Sequence, residues 1–413
     1  MPQADGRKNY ALGAALIVAM FAIWGLSHRL YDTILPGFVS ALSLSEFQVS
    51  LAHWVRTFGY ILIAIPSAFF LRAFGYKAGV VGGLGCFAVA MFMFYPAETQ
   101  HSYVFFLIAG LIANCGVALL EIAADPWVMR IGRPETAIRR LNFAQTLNPV
   151  GLLIGMVLGA QFISADGHFG KFPIQPYIVI GAGVLLFAYL IDNVKFSPEA
   201  TERAPKEERT LDTIKEIFAK ADFRFGLAAL ALYIAGHTVL WGFAVQYGES
   251  VLPGVGGVAG IAVWTLYAFI AGRIAGTALM YVIDPVRLMV AFAALATALT
   301  GAAAFVHGWP GIYCVVSASF FMSILFPTIF GVAARDVGKN LKSASALLIM
   351  ASGSANVVPP TIALILGTGF SPYVVLLPSL CFAVITVYAL KSRGPAVKSA
   401  SVAAAPHVPV AGA

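Results

Sequence analysis

The segment Lys195–Phe223, KFSPEATERAPKEERTLDTIKEIFAKADF, is the one long charged interruption in an otherwise apolar chain. Six apolar stretches precede it and six follow it, and each approaches or exceeds the roughly 20 residues that a helix needs to cross a bilayer. The predicted spans 1 to 12 cover residues 11–36, 47–72, 79–96, 102–130, 141–164, 174–194, 224–250, 257–282, 286–306, 310–333, 343–366 and 372–391. This pattern predicts an all-α membrane protein of twelve transmembrane helices. Its two six-helix halves, 1–194 and 224–391, are joined by a cytoplasmic central loop, 195–223.

The amino-acid composition excludes a soluble protein. Of the 413 residues, 60% are hydrophobic and 11% are charged, against about 25% charged in a typical soluble domain. The net charge of +7 does not indicate a nucleic-acid partner, because the basic residues fall in short loops between the spans. The four cysteines lie inside apolar stretches without paired metal-ligand spacing. We therefore expect packing roles for them, and neither a metal nor another cofactor.

Lysine and arginine are concentrated on alternate loops. They lie at both ends of the chain and in the loops that follow every second span, whereas the opposite loops contain only Lys171. Because cytoplasmic loops carry the excess of basic residues, we expect both termini in the cytoplasm. The protein is predicted to be a multi-pass protein of a bacterial inner membrane, surrounded by lipid and monomeric.

The central loop and the C-terminal tail carry two further patterns. Leu211, Ile214, Ile217 and Phe218 recur at helical spacing, which predicts an amphipathic helix on the membrane surface. The tail, 392–413, is rich in Ala, Val and Pro and is predicted to be disordered and cytoplasmic.

Span 1 contains the ionisable stretch Trp24–Asp32, WGLSHRLYD. An ionisable side chain inside a bilayer costs roughly 2.5–3.5 kcal/mol on insertion scales, so it is usually retained where it lines a cavity. His28 and Arg29 precede Asp32 by four and three residues and share its helix face. Asp32 is therefore predicted to couple protons, with His28 and Arg29 next to the substrate. The alternative is a static ion pair that fixes the helix.

Span 4 carries two carboxylates, Glu121 and Asp125, four residues apart on one helix face. Two close carboxylates cannot both ionise cheaply, so one is expected to hold a proton. Glu121 is predicted to be the proton-coupling site. Asp125 is either a second site or a gate that pairs with a loop arginine, Arg130 or Arg139.

Other polar side chains in the spans are candidates for substrate binding. Amide groups both donate and accept hydrogen bonds, which suits sugar hydroxyls, although they also serve to join helices. The candidates are Gln145 and Asn148 in span 5, His53 and Arg56 in span 2, His237 and Trp241 in span 7, and Asn356 in span 11. Arg56 would bind a substrate carboxylate or pair with Asp32. Arg273, in the middle of span 8, is expected to pair in a conformation-dependent way.

Six strings in this chain, in order along its length, resemble the fucose:proton symporter family of the major facilitator superfamily. They are LYDTILP at 30–36, FGYKAG at 74–79, EIAADP at 121–126, RLNFAQTLNP at 140–149, FMSILFPTIF at 321–330 and VVPP at 357–360. The resemblance implies a twelve-helix transporter of two six-helix halves. It also implies that Asp32 and Glu121 are the protonation and sugar-coupling carboxylates, and that Asn148 contributes to the sugar site.

The chain departs from that family at several candidate positions. His28 and Arg29 stand where the family usually has asparagines, and Asp125 stands where it usually has asparagine. Arg56 has no family counterpart, and His237 replaces a usual Gln or Glu. The added basic groups favour a substrate with a carboxylate, because arginine binds a carboxylate bidentately.

These observations predict a proton-coupled symporter that imports a monosaccharide or a uronate-like sugar acid by alternating access. The alternatives are a neutral hexose or fucose:proton symporter and, less favoured, a proton-driven efflux antiporter. A sugar sensor is disfavoured, since the chain has no signalling domain. No motif of an intramembrane enzyme is present, so we expect a transporter and not an enzyme.

Overall fold

The computed structural model describes residues 2–160, 175–194, 196, 210–366 and 370–393. The side chains of His28, Arg29, Asp32 and Arg56 lie outside this description, so their predicted roles stay predictions. Lys171 and the tail from residue 394 onward also lie outside it.

The described chain is helical, as the hydropathy pattern predicts, because a helix satisfies its own backbone hydrogen bonds inside a bilayer. In the first half the α-helices are Pro2–Leu42, Glu46–Thr99, Tyr103–Arg130, Ala137–Ala144, Leu147–Ala160 and Gln175–Asn193. In the second half they are Ala221–Gly242, Ala244–Val251, Ile261–Leu279, Pro285–Ala303, Trp309–Met322, Leu325–Ala333, Leu341–Ser354, Val358–Leu366 and Leu376–Lys391. Thr210–Ala219 forms a separate helix between the halves.

Twelve crossings can be counted within the described residues. Nine helical segments are long and apolar enough to cross a membrane, and two shorter apolar helices, Ala15–Ser27 and Tyr177–Asn193, cover spans 1 and 6. The segment Glu46–Thr99 is too long for one crossing and is divided at Gly75, where φ is +87°. Glycine has no Cβ and adopts this left-handed conformation without strain. That segment therefore supplies spans 2 and 3.

Several predicted spans are interrupted where the sequence pattern predicts continuous helices. Span 5 divides between Ala144 and Leu147, span 7 at Phe243, span 10 between Met322 and Leu325, and span 11 at a 3-10 turn, Ala355–Val357. Non-helical backbone at membrane depth is tolerated where protein buries it or where it lines a cavity. In membrane transporters, discontinuous helices commonly form the binding site.

Spans 1 and 5 pack at very short range. A Cβ at Gly25 would lie 1.9 Å from the carbonyl oxygen of Asn148, and a Cβ at Gly151 would lie 1.9 Å from that of Ala22. Small residues of this kind let membrane helices approach until their backbones touch. The contact fixes span 1, with its predicted proton site, against the amide-bearing span 5.

The central helix packs on protein with one face, and its placement on the membrane surface stays a prediction. Its buried residues are Thr210, Thr213 and Ile217, whereas Leu211 is 58% exposed. Arg72 Nη1 donates to Thr213 Oγ1 at 3.2 Å. The face towards the protein is mixed, since it buries the apolar Ile217 beside the hydroxyl of Thr213 that accepts from Arg72.

The two halves meet at the end of the molecule that carries the loops rich in Lys and Arg, called the basic end below. Asn142 Nδ2 of span 5 donates to Thr328 Oγ1 of span 10 at 3.2 Å. The guanidinium of Arg139 lies over the ring of Tyr281, 4.2 Å from its centroid. The central helix adds a further tie, since Asn340 Nδ2 donates to Glu216 Oε2 at 3.2 Å. The basic end is closed in this conformation.

Candidate functional site

Glu121 lies where spans 2, 4 and 11 meet, and its side chain is 3% exposed. Tyr60 Oη donates to Glu121 Oε2 at 3.2 Å. The Tyr60 ring in turn touches the second half, because a Cβ at Gly353 would lie 2.4 Å from it. One residue after Glu121, the carbonyl of Ile122 accepts a hydrogen bond from Ser345 Oγ at 2.9 Å. A predicted proton site thus lies directly at the contact between the halves.

Asp125, one turn further along span 4, is fully buried. Its Oδ1 accepts a hydrogen bond from Gln145 Nε2 at 2.9 Å, whereas its Oδ2 has no partner among the described residues. Arg139, one of the two loop arginines considered for a gate contact, lies over the ring of Tyr281. The gate role of Asp125 stays a prediction. Span 5 is interrupted next to Gln145, where its amide lies against span 4.

Arg273 reaches the same amide from the second half. Its Nη1 donates to Gln145 Oε1 at 3.3 Å and to the Gln145 carbonyl at 3.4 Å. The guanidinium is 3% exposed and lies 5.1 Å from the centroid of the Phe269 ring. Gln145 therefore joins a carboxylate of one half to a cation of the other.

An aromatic cluster on spans 7 and 8 borders this chain of hydrogen bonds. The His237 ring stacks on Phe269 with centroids 5.7 Å apart and an interplanar angle of 9°. The Trp241 ring packs edge-on against His237 at 4.5 Å, and its Nε1 donates to Ser319 Oγ at 3.2 Å. His237 Nε2 is buried without a partner among the described residues. Flat rings held by neighbours suit the apolar CH face of a sugar.

The remaining predicted site residues lie apart from this network. Asn356 lies in the turn that interrupts span 11, and its Nδ2 donates to the Gly353 carbonyl at 3.1 Å. Asn148 and His53 are half-buried in spans 5 and 2. No described hydrogen bond connects the Asn148 or Asn356 side chain to Glu121 or Asp125. Their predicted contacts with substrate stay predictions.

Sequence reasoning missed two partners that the structure supplies. Tyr60 follows Arg56 by four residues, so helical spacing from that arginine was a signal that it shares the same face. Ser319 had no signal, because a serine in an apolar span usually bonds to its own helix. Arg273 was expected to pair, but its partner on span 5 could not be read from spacing within span 8.

Two buried carboxylates and one buried guanidinium lie within this network. Glu121 interacts electrostatically with Asp125, and Asp125 interacts electrostatically with Arg273. These three groups sum to zero charge when one carboxylate carries a proton and the other does not. The arrangement can therefore hold one proton without leaving a net charge in the protein interior.

Comparison with known proteins covers nearly the whole chain. A family model described as the Major Facilitator Superfamily matches residues 12–360. The L-fucose-proton symporter of Escherichia coli K12 is 31% identical over 412 residues, 94% of each chain. A glucose/galactose transporter of Brucella abortus biovar 1 is 26% identical over 404 residues, 94% of this chain and 96% of the relative.

A solved structure gives the same result at the level of the fold. The crystal structure of FucP, a Major Facilitator Superfamily transporter in the outward conformation, superposes with a TM-score of 0.83 at 30% identity. The match covers 94% of this chain and all of that one. The resemblance first drawn from six short strings is confirmed over both halves.

Proposed function

Because this chain belongs to the Major Facilitator Superfamily, we propose that it imports a neutral monosaccharide together with protons. Like its relatives, the chain is a multi-pass membrane transporter and not an enzyme. The observation that carries the proposal is the pair of buried carboxylates on span 4, each hydrogen-bonded to a different helix. Buried ionisable groups in a membrane helix are costly unless transport uses them.

The relatives favour the neutral-sugar alternative over a sugar acid. They are named for L-fucose and for glucose and galactose, which carry no carboxylate. In addition, the one described arginine within the network, Arg273, is already engaged with Gln145. A substrate carboxylate would have to displace that contact or bind Arg29 or Arg56.

The proposed division of labour follows from the chemistry of the side chains. Asp32 and Glu121 carry the proton, and Tyr60 positions the Glu121 carboxylate. The amides of Asn148 and Asn356 hydrogen-bond sugar hydroxyls, with the imidazoles of His53 and His237 as further partners. Trp241 packs against the CH face of the sugar ring.

The transport cycle follows alternating access between the two halves. With the basic end closed, the proposed access is from the opposite side, and the outward conformation of the similar FucP structure supports it. The basic loops support a cytoplasmic position for the closed end, and the proposed membrane is the bacterial inner membrane. Sugar and proton would enter from the outer side, and the basic end would then open.

Uptake into proteoliposomes tests this function. We expect labelled L-fucose, D-glucose or D-galactose to accumulate when the inside is more alkaline than the outside, and accumulation to stop when a protonophore collapses the gradient. Asp32→Asn and Arg56→Gln serve as companion variants, the first losing accumulation and the second retaining it for neutral sugars.

The same assay separates the alternatives. Accumulation of D-glucuronate or D-galacturonate with no neutral-sugar uptake would replace the proposal with the sugar-acid interpretation. Release of a preloaded substrate against its gradient, driven by proton entry, would indicate an efflux antiporter. Gradient-independent equilibration of every sugar would overturn proton coupling.

A further inference from the structure

Arg273 is a buried charge that the proposed sugar:proton site does not require. It lies in span 8 of the second half, four residues and so one helical turn after Phe269, whose ring packs against Trp241, and it is 3% exposed. Both of its described hydrogen bonds cross to the first half and end on a single residue, Gln145. A cation that bonds only across the boundary between two moving halves must change partners when they move.

Gln145 is placed to connect two charges. It lies at the interruption of span 5, between the helices that end at Ala144 and begin at Leu147. Its Nε2 donates to Asp125 and its Oε1 accepts from Arg273, so each end of the amide meets the one partner that suits it. If the amide were flipped, its oxygen would face the carboxylate of Asp125 and its NH2 group would face the guanidinium of Arg273. The charges on both sides therefore fix its orientation.

The two charges compensate each other through this amide and not by direct contact. Asp125 is fully buried and interacts electrostatically with Arg273. Asp125 Oδ2 and Arg273 Nε both lack a hydrogen-bond partner among the described residues. The titratable groups around them are Glu121 on span 4, Tyr60 on span 2, and Tyr233 and His237 on span 7. A buried charge that loses its counter-charge is strongly destabilising.

We propose that Arg273 is a positioning residue of the transport cycle, which holds the basic end closed through Gln145 while Asp125 is ionised. When Asp125 takes up a proton, Arg273 loses the counter-charge next to it, and separation of spans 5 and 8 lets water reach it. Glu121, one turn away on the same helix face, is the group from which the proton reaches Asp125. The inference rests on the proposed function for the source of the proton, and it assigns the step that opens the basic end.

A cysteine at Ile138 reports on that opening without any sugar. Ile138 of span 5 packs against the second half, since a Cβ at Gly331 would lie 2.8 Å from its side chain. In inside-out vesicles, a membrane-impermeant maleimide should label Ile138→Cys slowly in the otherwise unchanged protein. Arg273→Gln or Asp125→Asn should each raise the labelling rate about fivefold or more, as expected for a contact between coupled residues.

The double variant Arg273→Gln/Asp125→Asn is the decisive measurement. It removes both charges and keeps amides that can bond to Gln145, so the labelling rate should return to within about twofold of the starting protein. Arg273→Lys retains the charge but not the planar guanidinium. Its labelling rate should therefore lie between those of the starting protein and of Arg273→Gln. Additive effects of the two single changes, or no effect of either, would overturn the proposal.

Three controls keep the result interpretable. Glu135→Cys, on the exposed loop between spans 4 and 5, should be labelled rapidly in every background, and labelling of the native cysteines is subtracted. If Arg273→Gln does not fold, Gln145→Met removes the connecting amide and should raise the labelling rate of Ile138→Cys in the same way. Because the readout needs no substrate, it stands even where the proposed sugar uptake fails.

Discussion

Spans 4 and 10 are the fourth spans of their halves, yet they differ in the polar side chains that they bury and in the partners of those side chains. Span 4 buries Glu121 and Asp125, whose carboxylates bond to side chains of spans 2 and 5. Span 10 buries hydroxyls only, and those of Ser319 and Thr328 donate to carbonyls one turn earlier in their own helix, at 3.2 and 2.7 Å. The buried carboxylates thus lie on span 4, whereas span 10 supplies neutral acceptors.

The hydroxyls of span 10 still serve other helices, but as acceptors. Ser319 Oγ accepts from Trp241, and Thr328 Oγ1 accepts from Asn142 across the boundary between the halves. A hydroxyl that donates within its own helix keeps a fixed direction, so its lone pairs hold a neighbour in place. Span 10 therefore has a structural role and holds its neighbours in place, whereas span 4 is the helix whose charge state can change.

Removing the charge from span 4 should have the largest effect. Glu121→Gln keeps the shape and mimics the protonated side chain, so the protein can no longer release a proton there. We expect gradient-driven sugar accumulation to fall at least tenfold while exchange of labelled for unlabelled sugar persists, because only net transport requires release of the proton. Uptake and exchange in matched proteoliposomes measure the two rates.

A matched change on span 10 sharpens this contrast. Ser323→Ala alters a buried hydroxyl without a partner among the described side chains, and should leave accumulation within about twofold of the unchanged protein. Normal sugar accumulation by Glu121→Gln, or loss of accumulation in Ser323→Ala, would show that proton coupling is not assigned correctly to span 4 and a structural role to span 10.

Tyr60→Phe should have an intermediate effect. It removes the hydroxyl that donates to Glu121 and retains the ring that packs against Gly353. A hydrogen bond to a charged group is worth about 1.5–3 kcal/mol, so we expect about a tenfold fall in accumulation rate. The melting temperature of the purified protein should change little, since the ring contact remains. A large drop in that temperature with unchanged coupling would make Tyr60 a packing residue only.

Much of the fold could be predicted from sequence, and the reason is physical. A bilayer requires long apolar helices, so hydropathy alone gives the twelve crossings, and the four-residue spacing places Glu121 and Asp125 on one face. The helix interruptions next to Gln145 and Asn356 were missed, because hydropathy averaged over a whole span does not reveal a local break. Hydropathy does not distinguish a continuous helix from one whose backbone is satisfied by other helices.

The partners of the site residues could not be predicted in the same way. Spacing relates residues on one helix, whereas the contacts of Gln145 with Arg273 and of Trp241 with Ser319 depend on how separate helices pack. In the central helix, apolar spacing predicted the helix and most of the face that packs, namely Ile214, Ile217 and Phe218, whereas Leu211 is exposed. The side chain of Asp32 lies outside the described residues, so its part in coupling stays a prediction.

The smallest effect is expected from Ser319→Ala, which tests whether span 10 holds an aromatic ring for the sugar. The substitution removes the acceptor for Trp241 Nε1 and changes no charge. One neutral hydrogen bond contributes about 0.5–1.5 kcal/mol, so KM should rise about threefold to tenfold. The maximal rate and the steady accumulation ratio should stay the same, because the carboxylates of span 4 are untouched. Trp241→Phe keeps a ring but has no N–H, so it should give the same rise in KM, and the double variant should add little to either. A fall in the accumulation ratio with unchanged KM would instead tie Ser319 to proton coupling, and the contrast between spans 4 and 10 would fail.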